Sequence, residues 1–108
     1  MSIDLHQLQN LIVASSHNYT THYGIERTPD WTALKFAEEA GEVVQAFVKF
    51  SGRSRHAIER ETARQNLASE IADAIGMALI LAAEYDLDLE AAFEGSWKIS
   101  LSPHAVNS

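Results

Sequence analysis

The sequence predicts an all-α fold, a four-helix bundle, on three observations. No stretch alternates apolar and polar residues as a half-buried strand does. Proline stands only at 29 and 103, and glycine only at 24, 41, 52, 76 and 95, which leaves long helix-permissive runs between breaks. Within those runs, apolar residues return at three- and four-residue spacing. At 108 residues and 46% apolar content, the chain is the size of one domain, taken as residues 1–108.

The first helix is expected over about residues 3–16, with Leu5, Leu8, Leu11 and Ile12 as its apolar stripe. Tyr19 to Pro29 reads as a polar connection. Asp30 is the expected N-cap of a second helix over about 31–50. The run Ser51-Gly52-Arg53-Ser54-Arg55 breaks that helix and forms a basic loop. A third helix is expected to start between His56 and Glu61, taken as 58–84. Asp88 caps a short fourth helix, 88–97, and the tail beyond Pro103 is expected to be loose. Two long and two short helices on short connections give the bundle.

Eight basic residues against fifteen acidic ones leave a net charge of −7, which repels a phosphate backbone and argues against general nucleic-acid binding. Such a chain can still take a small anionic ligand, because carboxylates hold divalent cations and cations hold phosphates. With no cysteine there is no disulfide, thiolate zinc site or cysteine nucleophile. Met1 to His6 lacks a positive segment followed by an apolar one, and the apolar run Ile71 to Ala83 is short for a bilayer and carries Asp73. A cytoplasmic protein with no membrane partner is expected.

On the second helix, Phe36, Ala37, Ala40, Gly41, Val43, Val44, Phe47 and Val48 fill an apolar arc, with Lys35, Glu38, Glu39, Glu42 and Lys49 on the remainder. Taken alone, this is an amphipathic helix with a solvated charged face. The third helix changes the reading. It is apolar on every side from Ile71 to Ala83, as a helix buried all round would be, and Asp73 is the only charge there. A buried carboxylate needs a partner, and no basic residue lies at helical spacing on that side. Glu39 with Glu42, and Glu70 with Asp73, are therefore two acidic pairs at i, i+3 spacing, each on one helix face. Antiparallel packing would bring all four together, which requires either large pKa shifts or a cation. All-oxygen ligation suits Mg²⁺ or Mn²⁺. A di-iron carboxylate bundle would use Glu-x-x-His pairs, and no histidine stands three residues after a glutamate.

Glu38-Glu39-Ala40-Gly41-Glu42 followed by Glu70-Ile71-Ala72-Asp73 resembles the EExxE…ExxD signature of the all-α NTP pyrophosphohydrolases, in their MazG-like branch. The resemblance extends over residues 31–98. It takes in Leu34-Lys35-Phe36-Ala37 before the first motif and Asp86-Leu87-Asp88-Leu89-Glu90 after the apolar helix. It implies Mg²⁺-dependent hydrolysis of a nucleoside triphosphate, NTP or dNTP, between the α and β phosphates, giving a monophosphate and pyrophosphate. Glu39, Glu42, Glu70 and Asp73 are then the metal ligands. Glu39 and Glu38 are the candidates on the water, Glu38 being equally readable as a solvated glutamate. The family's lysine after the last helix matches Lys98, while Ile99 to Pro103 lacks its arginine.

Around this site, Lys35 and Lys49 are candidates for phosphate, Trp31 for stacking on a base, and Asn66 for a hydrogen bond to the ligand shell. Each also has an ordinary structural reading. Arg53 and Arg55 are candidates to replace the missing arginine. His17 and His22 have no partner at metal spacing and read as surface or loop residues. A phosphoribosyl-ATP pyrophosphatase shares the fold and the chemistry. The long interval between motifs, and the lack of a Ser-Tyr-Thr-like segment before the second helix, weigh toward the MazG-like reading. A non-catalytic helical dimerisation module is the alternative of another class. The all-round apolar helix also calls for a homodimer or homotetramer.

Overall fold

The computed structural model describes residues 3–53 and 59–101. The described residues are helical with no strand: α1 (Leu5–Tyr23), α2 (Pro29–Phe50), α3 (Arg60–Glu84) and α4 (Leu89–Trp97). The all-α reading holds, and the boundaries move for identifiable reasons. Asp4 rather than Ile3 opens α1, through a capping box in which its side chain accepts from Gln7 N at 2.7 Å and Gln7 Oε1 accepts from Asp4 N at 2.8 Å. The helix does not end near residue 16. Nothing from Ser16 to Tyr23 breaks it, and Tyr19 to Tyr23, expected as connection, is helical. The break comes at Gly24, whose φ of +65° lets its N–H reach back to Thr20 and Thr21.

The cap of α2 is Thr28, whose Oγ1 accepts from Trp31 N at 3.1 Å, with Pro29 in the first turn. Asp30 therefore sits inside the helix as a first-turn acid and is not the cap. Glu59 caps α3 by accepting from Glu61 N and Thr62 N, each at 3.0 Å. Ile58, Arg55 and the tail beyond Pro103 lie outside the described residues. Asp88 caps α4 as expected, accepting from Ala91 N at 3.1 Å.

The main contact runs antiparallel between α2 and α3: Thr32, in the first turns of α2, bonds Glu84 at the end of α3, and Ala46 near the end of α2 lies by Ala63 near the start of α3. The seam follows a three–four spacing. It uses positions 32, 35, 39, 42, 46 and 49 on α2, and 63, 66, 70, 73, 77, 80 and 84 on α3. A coiled coil would fill such a seam with leucine. Here it carries Thr32, Lys35, Glu39 and Glu42 against Glu70, Asp73, Met77 and Glu84, closed at the far end by the small pair Ala46 and Ala63. α1 packs on another side of α3, with Ile12 over Gly76. α4 touches the other helices only lightly.

The apolar expectations need two corrections. α3 is not buried all round within one chain: Gly76, Leu79, Ile80 and Ala82 are covered, but Ile71 and Ile75 are 41% and 51% exposed. On α2 the arc reserved for a core faces outward, with Val44 61% and Phe47 45% exposed. The helix is turned so that its charged face meets α3. α3 is also long and apolar enough, by length and composition, to cross a membrane, contrary to the reading from its shorter apolar core. Glu70 and Asp73 stand within it and its partners are α1 and α2.

Candidate metal centre

The rotation of α2 decides the chemistry of the seam. Glu39, Glu70 and Asp73 each bring a carboxylate oxygen within 4.8 Å of the others, and Glu38, Glu39 and Glu42 form a second such set. Glu39 belongs to both, so the two acidic pairs become one cluster across the helix pair. Asp73 is exposed rather than buried, against expectation. It opens to a cleft of about 440 Å³ that it shares with Glu39. Within the cluster, the carboxylates cut off from water are Glu39 and Glu70: the Oε2 atom of each is buried with no hydrogen-bond partner, as is Glu84 Oε2 at the Thr32 end of the seam.

The electrostatics follow from that crowding. Burial raises the pKa of Glu39 above its ordinary value, and the charge and hydrogen bond of Glu42 and the charge of Asp73 push the same way. Glu70 is raised first by its hydrogen bond with Glu42, then by desolvation and the charges of Glu42 and Asp73. No arginine or lysine forms an ion pair with Glu39, Glu42, Glu70 or Asp73 among the described residues. A buried carboxylate oxygen with no donor, beside two others, is a poor arrangement for a bare protein and a good one for a hard divalent cation. The donor set fits Mg²⁺ or Mn²⁺ on that ground.

Two clefts flank the cluster. One, between α1, α2 and α3, is lined by Trp31 and Lys35 with Glu39 and Asp73. The other, about 400 Å³ between α2 and α3, is lined by Lys49 and Asn66 with Glu42 and Glu70. Four of the five outlying candidates thus border the carboxylates, two on each side. Lys98 does not: it forms the left-handed C-cap of α4 with φ +57° and lines neither cleft. Arg53 is also elsewhere, over the Phe47 ring at 5.5 Å and bonded to Ser51 Oγ. Lys35 is paired with Glu38 at 3.2 Å; that hydrogen bond and the charges of Glu38 and Glu39 raise its pKa and keep it cationic.

Ser15, Ser16, Tyr19 and Met77 line the first cleft without having been singled out in the sequence. Tyr19 falls in the segment expected as connection, because α1 is expected to end at 16, while Ser15 and Ser16 lie within the expected helix but off its apolar stripe. Taking Gly24 as the stop signal carries the helix past Tyr19. His17 is helical and near Arg27, 3.1 Å from its guanidinium. A larger hollow of about 590 Å³, between the start of α1 and the α3–α4 turn, lies away from the carboxylates.

No curated protein and no solved structure shows significant similarity to the chain. The family profile described as Phosphoribosyl-ATP pyrophosphohydrolase matches residues 5–95, from the first turn of α1 to the last turn of α4. The weight placed on the long interval between the acidic motifs was therefore misplaced. The interval runs through the last two turns of α2, the α2–α3 connection and the first turns of α3, and the carboxylates on either side of it still come together. The reading as a non-catalytic module loses its ground with the same finding. By that match the chain belongs to the phosphoribosyl-ATP pyrophosphohydrolase family, within the all-α NTP pyrophosphatase superfamily, and is a hydrolase acting on acid anhydrides.

Proposed function

We propose that the protein hydrolyses phosphoribosyl-ATP between the α and β phosphates, releasing pyrophosphate, in a reaction that depends on Mg²⁺. The observation that carries the metal is the convergence of Glu39, Glu70 and Asp73 with two orphaned, buried carboxylate oxygens. Glu39, Glu42, Glu70 and Asp73 would hold the cation. Bound there, it supplies charge neutralisation on the phosphate oxygens and lowers the pKa of a coordinated water. Glu38, at the edge of the cluster, orients the attacking water, with Glu39 able to accept its proton. Lys35 and Lys49 lie on opposite sides of the cluster, where each meets phosphate oxygens. Trp31 offers a stacking face beside Lys35, and Asn66 a hydrogen bond beside Lys49.

The substrate follows from the family profile. A broader activity on NTPs or dNTPs, as in the MazG-like branch, is the second reading, favoured by the match of Glu38 to Glu42 and Glu70 to Asp73 to that branch's signature. Pyrophosphate release from phosphoribosyl-ATP and from a set of NTPs and dNTPs, each with and without Mg²⁺, separates the two. Turnover of phosphoribosyl-ATP well above all nucleoside triphosphates is expected. Release from NTPs alone would favour the second reading, and release without Mg²⁺ would remove the metal.

The protein acts as a homodimer or homotetramer in the cytoplasm, with neither nucleic acid nor membrane as a partner. The support for assembly is the outward arc of α2, with Val44 and Phe47, and the exposed Ile71 and Ile75 of α3; the acidic net charge of −7 weighs against a nucleic-acid partner. Burying one such side chain stabilises by about 1.5–3 kcal/mol, so a second copy laid on these faces gains what a lone chain forgoes.

A further inference from the structure

The α2–α3 seam poses a problem that the carboxylates cannot solve themselves. Hydrophobic burial within one chain would turn α2 the other way, placing Val44 and Phe47 on α3 and the glutamates in water. The clustered carboxylates of Glu39, Glu42, Glu70 and Asp73 resist the observed rotation further. A second copy on the outward arc would favour this rotation from outside; within the chain, the seam has few groups able to specify it. At its far end Ala46 and Ala63 allow close approach but fix little, since small side chains impose no direction.

At the near end stands Thr32, with none of its surface exposed. Its hydroxyl donates to Glu84 Oε1 at 2.6 Å, from α2 to the last residue of α3. Glu84 is held in turn by Arg27, at 3.5 Å from Nε, and both side chains are mostly buried, at 11% and 15% exposed. Arg27 also donates to Ser16 Oγ and approaches His17, so the network ties α1, the α1–α2 connection, α2 and α3 together. Thr32 lies seven residues before Glu39, two helical turns along the same face, within about 20° of it. A hydrogen bond that fixes the rotation at Thr32 therefore fixes it at Glu39.

We propose that Thr32 and Glu84, backed by Arg27, are positioning residues that lock the rotation of α2 on α3 and so hold Glu39 and Glu42 toward Glu70 and Asp73. Specifying register is the best-attested use of a buried polar group; a wrong rotation takes this donor from Glu84 and leaves the Thr32 hydroxyl only the longer local contact to the Thr28 carbonyl, at 3.3 Å. The inference rests on the metal reading above, and its test keeps the two apart.

The test measures Mn²⁺ affinity of the metal-free protein by electron paramagnetic resonance, beside helix content, melting temperature and kcat and KM. Three variants are compared: Thr32→Ser, Thr32→Val, and the triple Arg27→Met/Thr32→Val/Glu84→Leu, which makes the whole network apolar. Thr32→Ser keeps the hydroxyl and is expected to bind Mn²⁺ as the wild type does. Thr32→Val is expected to keep its helix content and lose about 10- to 100-fold in Mn²⁺ affinity, the size seen when support behind a metal ligand is removed, with kcat falling alongside. The triple variant is expected to melt at or above the wild-type temperature and still bind Mn²⁺ weakly, so that stability and metal affinity part company.

Wild-type Mn²⁺ affinity in Thr32→Val or in the triple variant overturns the lock, whatever happens to the melting temperature. So does a triple variant that fails to fold, since the network would then serve the fold rather than the register. Should Thr32→Val alone fail to fold, the triple variant and Thr32→Ser decide. A wild-type protein that binds no Mn²⁺ removes the metal reading, and this proposal with it.

Discussion

α3 makes two contacts, and they are built on opposite principles. Against α1 it is apolar: Ile12 lies over Gly76, Leu5 and Leu8 are half-buried, and a polar tie, Gln9 Nε2 to the Leu79 carbonyl at 3.0 Å, secures the register. Against α2 the same helix offers glutamate and aspartate to glutamate and lysine. The first contact is what hydrophobic burial builds unaided. The second works against burial and against charge repulsion, and that inversion marks it as the place where stability is given up for chemistry. It also leaves the apolar arc of α2 on the outside, with Val44 and Phe47 exposed.

The sharpest way to break the comparison is at Asp73. Asp73→Asn preserves shape and removes one charge from the polar contact. Pyrophosphate release is expected to fall on the order of 10³-fold, the value of several kcal/mol of lost charge stabilisation. The Mg²⁺-induced rise in melting temperature should vanish with it. The metal-free variant should melt at or above the wild-type temperature, because the crowding that raises Glu39 and Glu70 is relieved. A variant that turns over normally would detach the polar contact from catalysis.

Next in size is the outward arc. Val44 is 61% exposed in one chain, so in a monomer Val44→Glu would change stability by no more than about 0.5 kcal/mol. In an assembly that covers it, the substitution buries a charge and should shift the mass by light scattering to that of a monomer, with a clear drop in melting temperature. An unchanged mass and melting temperature would leave the arc without a partner.

The apolar contact is sharpened by Gly76→Ala. A Cβ there would stand 3.7 Å from Ile12 Cγ2, an ordinary van der Waals distance. Alanine in a helix interior is favoured over glycine by about 0.8–1 kcal/mol, so thermal unfolding should shift up by a few degrees. A fall would mean that α1 and α3 approach more closely in solution than they do here.

The smallest effect lies outside both contacts, at Glu59. Hydrogen bonds from Glu61 N, Thr62 N and the Thr62 hydroxyl hold its pKa below the ordinary 4.5. A carboxylate with a lowered folded pKa adds stability above its unfolded value and loses it as pH falls through the folded one. Glu59→Ala should therefore melt slightly lower than wild type at pH 7, and the gap should close as the pH is taken below 4.5. A gap that persists in acid would assign the effect to helix propensity rather than to the cap.

Much of this molecule is legible in its sequence because the signals are local. Asp88 caps α4 with its own side chain, Ser51 and Gly52 end α2, and the i, i+3 acidic pairs follow from helix geometry wherever the helix lies. Where the reading slipped, a local competitor was overlooked: Thr28 caps α2 in place of Asp30, and α1 runs to Tyr23 because only Gly24 stops it. The placement of Lys98 and Arg53 away from the carboxylates was not legible, since both belong to segments whose direction depends on tertiary packing.

By itself the sequence determined the all-α class, the four helices of the described residues and the pairing of Glu39 with Glu42 and Glu70 with Asp73, all consequences of backbone geometry and side-chain spacing. Only the tertiary structure decided which way α2 faces. An amphipathic pattern states that a helix has two faces and hydrophobicity assigns the apolar one to the interior. Here a buried hydrogen bond between Thr32 and Glu84, fifty-two residues apart, stands with the opposite choice, and no rule of local spacing contains it.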